Sequence, residues 1–217
     1  MASAAAATAP RGAIPTLPHY LRTGLRVVFI GYNPGLESAR RGHYYAFNGN
    51  AFWRQLNAAG LVPRPVTFED DHLLMDLAGV GFTDLCPRPT VRAEELTVAE
   101  MCEGALWLQA ELLANRPRFG VFSGKGIYRA FARHALGLPA AEISRRGYGP
   151  QPDRLAAGEG STALWVIPSS SGLASRWHAR RLALLKELAV AVELCRPDDP
   201  GTRAGSSQGM PPQSGGS

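Results

Sequence analysis

Apolar positions along this chain follow two alternating rhythms. Short apolar runs predict buried strands at Leu25 to Ile30, bounded by Gly24 and Gly31, at Gly81 to Leu85, at Phe119 to Phe122 and at Ala163 to Ile167. Between them, apolar residues recur at helical spacing. Asn50 is placed to cap a helix that carries Phe52, Trp53 and Leu56 and stops at Gly60. Thr97 and Glu100 form the capping box of a second helix, with Val98, Met101, Cys102, Ala105, Leu108 and Leu112 on one face. A third helix is expected from about Lys125 to Leu136. A last one, from about Ser175 to Glu193, is expected to bury Leu182, Leu185, Leu188 and Val192. Strands alternating with helices predict a three-layer α/β/α fold with a mainly parallel central sheet.

The pattern fades at both ends. Residues 1–17 are rich in Ala and Pro, and residues 196–217 run into Pro, Gly and Ser, so both tails are expected to be disordered. The folded unit is expected over residues 18–195, one domain with a sizeable core. The apolar N-terminal stretch has no basic segment before it and is too short to span a bilayer, so no membrane segment is expected. Three widely spaced cysteines and five histidines form no ligand pattern. Neither a structural metal nor a disulfide framework is expected, and reduced thiols fit an intracellular compartment. Glu69-Asp70-Asp71-His72 reads as a charged helix start or turn rather than a metal site. The net charge of +5 favours polyanionic partners without proving one.

Chemistry concentrates in loops that follow the predicted strands, where open α/β sheets bind their ligands. In Gly31-Tyr32-Asn33-Pro34-Gly35-Leu36, Pro34 holds Asn33 extended, and Gly31 and Gly35 leave room for a flat ring against the main chain. The same residues are also ordinary turn chemistry. Gly124-Lys125-Gly126 departs from the nucleotide-hydrolysing phosphate loop, but Lys125 at a helix start suits one backbone phosphate. Pro168-Ser169-Ser170-Ser171-Gly172-Leu173 is small and polar, and Arg176, Trp177, His178, Arg180 and Arg181 follow it. In a nucleic-acid reading Leu173 is a wedge between bases and the arginines meet phosphates. The plainer reading is a flexible loop before a basic helix start. Arg40-Arg41-Gly42-His43-Tyr44-Tyr45 has the basic–aromatic texture of base stacking beside phosphates, or of tyrosines folded onto the core.

Taken in order, these segments resemble the mismatch-specific uracil/thymine DNA glycosylases, a branch of the uracil-DNA glycosylase superfamily. The resemblance rests on Gly31 to Leu36, Gly42-His43-Tyr44-Tyr45, Asn50-Ala51-Phe52-Trp53, Gly81-Phe82-Thr83, Arg88-Pro89-Thr90, Gly124-Lys125 and Pro168 to Leu173. It implies that Asn33 is the catalytic residue that orients the attacking water. It places Tyr32, Gly35, Ser38, Tyr45 and Thr83 around the base, with Tyr45 stacked on it and Ser38 beside the pyrimidine 5-substituent. It assigns Lys125, Ser169, Ser170, Ser171, Gly172, Leu173 and Arg176 to DNA, with Leu173 filling the space the flipped nucleotide leaves. Tyr32 stands where the family usually has isoleucine.

The implied activity is monofunctional excision of uracil, with thymine and ethenocytosine behind it, from G mispairs in double-stranded DNA. Base flipping and water attack would leave an abasic site for base excision repair. An amide cannot take a proton, so Asn33 positions water only. No cofactor or metal is expected, and no lysine nucleophile or strand cleavage. The partner is duplex DNA bearing a mispaired or damaged pyrimidine. A monomer is expected, in a nucleus or a bacterial cytoplasm. Two rivals remain at this level: a damage-recognising DNA-binding module without catalysis, and a nucleotide-binding α/β enzyme.

Overall fold

The computed structural model describes residues 14–157 and 160–194. Five strands form one sheet in the order β2-β1-β3-β5-β4. They are β1 (Val27–Gly31), β2 (Val80–Asp84), β3 (Phe119–Phe122), β4 (Gly149–Ala157) and β5 (Gly160–Val166). The pairs β1–β2, β1–β3 and β3–β5 are parallel, and β4 pairs antiparallel to β5 at the edge. Three expected strands lie within two residues of their predicted bounds, and β5 starts three residues before the predicted Ala163. The edge strand β4 was not expected, and its Pro150 and Pro152 would be out of place in a central strand. An edge tolerates them: the β4–β5 register breaks between Pro150 and Arg154.

Helices cover both faces of the sheet. Successive residues of β1 point to opposite sides. Val27 and Phe29 join a core with α2 (Phe52–Ala59), α3 (Leu74–Ala78) and α7 (His178–Leu194). Val28 and Ile30 join a second core with α4 (Val98–Asn115), α5 (Lys125–His134) and α6 (Ala140–Arg145). This is the expected α/β/α sandwich. The short α1 (Leu36–Arg41) follows β1 directly. Among the described residues no helix is long and apolar enough to cross a membrane.

Local signals hold where they are strongest. Ala51, not Asn50, occupies the N-cap of α2; Asn50 Oδ1 accepts the Phe52 N–H at 2.9 Å from one position earlier, and Gly60 ends α2 in the left-handed conformation. Thr97 and Glu100 cap α4 reciprocally. That helix buries Gly104, Ala105, Leu108 and Leu112, whereas Val98, in the capped first turn, is exposed. A Cβ at Gly104 would collide with the Leu85 carbonyl, so glycine lets α4 press against the end of β2. The last helix starts later than expected, after a 3-10 turn over Gly172–Trp177. Its buried stripe is Arg181, Leu184, Leu185, Leu188 and Val192, while Leu182 is only half-buried. Leu17, expected in a disordered tail, is buried in the core. Cys86 is buried and Cys102 half-buried, both as free thiols, and Cys195 lies outside the described residues.

Candidate active site

The parallel strands end side by side, and their exits line one open cleft of about 1220 Å³. The loop after β1 supplies Gly31, Tyr32, Asn33 and Gly35. The end of β2 supplies Asp84, the loop after β3 supplies Ser123 and Lys125, and the loop after β5 supplies Ser169, Ser170 and Ser171. The space exceeds the range of about 300–1000 Å³ usual for small-molecule pockets.

Main-chain bonds zip the β1 exit to the segment after β2. Leu85 N–H donates to Gly31 O at 3.0 Å, Cys86 N–H to Tyr32 O at 2.9 Å, and Thr90 N–H to Pro34 O at 3.2 Å. This seam fixes Asn33. Its Nδ2 donates to Arg88 O at 2.8 Å and to Thr90 Oγ1 at 2.7 Å. Thr90 Oγ1 in turn donates to Arg92 O, leaving a lone pair for the Asn33 amide. A carbonyl oxygen only accepts, so the amide is oriented unambiguously. Both Nδ2 protons are used, and among the described residues Oδ1 is left to accept a hydrogen bond from a water. Arg88 is itself clamped by Glu100 across a 2.5 Å ion pair, which ties this support to the α4 cap.

Asp84 was not singled out from sequence. It lies opposite Gly31 in the β1–β2 register and is buried, yet it lines the cleft. A Cβ at Gly31 would collide with Asp84 Oδ1. Glycine here therefore makes room for a carboxyl, whereas Gly35 faces open space. Burial pushes the Asp84 carboxyl up from 3.8 to about 8. Its available signal was an acid at the carboxyl end of a buried strand.

The opposite wall is aromatic. Tyr45 holds a left-handed backbone (φ 54°), which is uncommon for a side-chain-bearing residue and costs about 1–3 kcal/mol. Its ring stacks on Phe52 with centroids 4.0 Å apart and planes 13° apart, and its hydroxyl lies 3.0 Å from Ser123 Oγ. Burial raises the Tyr45 phenol far above its usual range, so the hydroxyl stays neutral. Tyr148 and Trp177, also in the cleft lining, were not assigned from sequence. Lys125 Nζ sits 4.7 Å from the Tyr148 ring centroid, and Arg176 lies over Trp177 at 5.7 Å.

Several expected residues have other duties. The Tyr32 hydroxyl points to Met101 Sδ at 2.8 Å, on the α4 side. Ser38 lines the cleft while its hydroxyl accepts the Ala46 N–H at 3.2 Å, which braces the loop carrying Tyr45. Thr83 is fully buried and bonded to His19 Nδ1 at 2.8 Å; it is not among the cleft-lining residues, because its side chain leaves the opposite side of the strand from Asp84. Tyr44 belongs to the core. Ser169 to Ser171 are in place, Gly172 opens the 3-10 turn, and the side chain of Leu173 lies outside the described residues.

Arg181 corrects an expectation. It is not a surface phosphate contact but fully buried, donating to Gln55 Oε1 and to the Ser169 carbonyl. Burial lowers its pKa to about 10, and it remains charged at neutral pH. It braces the serine loop from within, and Ser170 O accepts the Ala51 N–H from the α2 entrance at 3.3 Å.

The cleft thus gathers an aromatic ring, an oriented amide and a buried carboxyl in one lining. A sequence profile described as the uracil DNA glycosylase superfamily matches residues 18–192, and the chain belongs to that superfamily. Its members are DNA glycosylases, hydrolases that act on DNA. The solution NMR structure of a putative uracil DNA glycosylase from Methanosarcina acetivorans is similar in fold, with a TM-score of 0.53 at 19% identity. The match covers 83% of this chain and 98% of that one.

Proposed function

We propose that this chain is a monofunctional, mismatch-directed glycosylase that removes uracil from G·U pairs in double-stranded DNA, accepting thymine and ethenocytosine less well. The observation that carries this reading is the Asn33 amide, anchored by Arg88 O and Thr90 Oγ1, with Oδ1 unbonded among the described residues, in a cleft shared with Asp84 and Tyr45.

A base in the stack is out of reach, so the nucleotide is flipped at a cost of a few kcal/mol, least for a mispair. The free face of Tyr45 stacks on the base. Main-chain N–H groups of the 31–36 loop hold the pyrimidine oxygens and stabilise the departing anion. The bond between base and C1′ breaks with its electron pair leaving on the base. Water held by Asn33 Oδ1 forms the new bond to C1′ and gives its proton to the Asp84 carboxylate. Asp84 thus supplies the proton acceptor that an asparagine lacks. Lys125 and the Ser169–Ser171 loop bind backbone phosphates, and Leu173 enters the vacated stack. The enzyme works as a monomer and needs no cofactor.

The test is a labelled G·U duplex incubated with purified protein, then treated with alkali. The expected result is cleavage only after alkali, at the uracil position. Duplex binding without base release identifies a damage-recognising module instead and refutes the catalytic reading.

A further inference from the structure

On the outer side of the Tyr44–Tyr45 loop, two segments distant in sequence converge. His43 comes from the loop after α1, and Asp71 and His72 from the 3-10 turn over Phe68–Leu73. One ligand atom from each of the three lies within 4.8 Å of the others. His43 Nδ1 is 3.0 Å from Asp71 Oδ1, and His72 Nδ1 is 3.7 Å from the same oxygen. We propose that His43, Asp71 and His72 form a site for a divalent transition-metal ion of the zinc class, outside the catalytic cleft.

The distances suit such an ion. Tetrahedral zinc held at about 2.0–2.1 Å from nitrogen and oxygen ligands spaces those ligand atoms about 3.3 Å apart. Two of the three edges lie on either side of that value and the third is within 4.8 Å, so side-chain rotations bring the ligands to that spacing. The ligand set of two imidazoles and one carboxylate matches the preference of zinc, and a water completes four-coordination.

The charge balance points the same way. The Asp71 side chain is 0% exposed, and among the described residues its ion-pair partners are the two imidazoles, with no lysine or arginine. A divalent ion held by the three would place formal positive charge beside that buried side chain. The ligand is also oriented from behind, because Tyr44 N–H donates to Asp71 Oδ2 at 2.8 Å and the Tyr20 hydroxyl approaches Oδ1 at 3.5 Å. Such outer contacts fix the direction of a ligating oxygen. His72 is half-exposed and His43 partly so, which gives the ion an entry path. Since Tyr44 precedes Tyr45, an ion held here stiffens the segment that carries the stacking ring.

The test uses the untagged full-length protein stripped of metal. Cobalt(II) is titrated in while its visible d–d absorption is followed, and zinc is then added as competitor. The expected result is one equivalent of tetrahedral cobalt, displaced by zinc. With zinc at about a hundred times its Kd, Tm should rise by roughly 5–11 °C. H72A, at an exposed position, should keep its fold and bind at least about tenfold more weakly, whereas H134A should bind like the parent. The proposal is overturned if the parent binds no stoichiometric cobalt. It is also overturned if H72A binds as tightly as the parent, or if H134A loses binding equally.

Discussion

Replacing Asp84 with asparagine should make the protein more stable and less active, with the size of both effects set by pH. In the folded chain burial holds this carboxyl at about 8, against 3.8 when solvated. Below pH 3.8 the group is protonated in both states and costs nothing. As pH rises toward 8 the unfolded chain ionises while the folded one keeps its proton, so stability is lost progressively and then levels off. Between 3.8 and neutral pH the loss is at most about 4 kcal/mol, at about 1.4 kcal/mol per tenfold. Water in the open cleft reduces that, and about 2–4 kcal/mol is expected. Asparagine keeps the shape and does not titrate. Urea unfolding of both proteins at pH 4, 6 and 8 measures the difference as a shift in midpoint at constant slope. The gain should be near zero at pH 4 and full at pH 8. Single-turnover excision should fall by about 10²–10⁴ in D84N, the usual worth of a general base. The parent's rate should climb about tenfold per pH unit from 6 to 7 and level off above 8, as the carboxylate becomes available, while the variant's profile stays flat. An equal stability gain at pH 4 and pH 8 would falsify the burial argument. A parent-like rate profile in D84N would remove Asp84 from the mechanism.

Other consequences are equally direct. Asn33→Ala should lose excision by about 10²-fold or more while keeping its affinity for a G·U duplex, measured by anisotropy; normal excision would show that the amide does not hold the water. Thr90→Val removes one of the two acceptors that orient Asn33 and should slow the chemical step about tenfold with KM unchanged, and Thr90→Ser should restore it. Tyr45→Ala should weaken binding of a duplex with a flipped uracil analogue by about 1–3 kcal/mol, the worth of one base–aromatic stack, with little change on a perfectly paired duplex. Lys125→Ala should reduce the salt dependence of duplex binding by about one phosphate contact, read as the slope of log K against log salt.

Much of this molecule was legible in one dimension. The buried strands of a parallel sheet are apolar over their whole length, so β1 and β3 declare themselves, and the Thr97–Glu100 box marks the start of α4 within four residues. The Asn33 loop, Tyr45, Lys125 and the serine loop, singled out because each follows a strand or carries an ordered motif, all line the one cleft. Other features depend on what comes near in space. Arg181 reads as one more cation at a basic helix start, yet it occupies the first position of the buried stripe of α7 and bonds the serine loop. Asp84 reads as the polar end of a strand, and only the pairing of β1 with β2 sets it against Gly31 and out of water. His43 lies 28 positions before Asp71, so no ligand spacing announces them together. Local pattern follows from periodicity and backbone chemistry within a few residues, which the chain carries with it. Burial, pKa and the meeting of distant side chains are set by packing of the sheet and its helices, and exist only once the chain has folded.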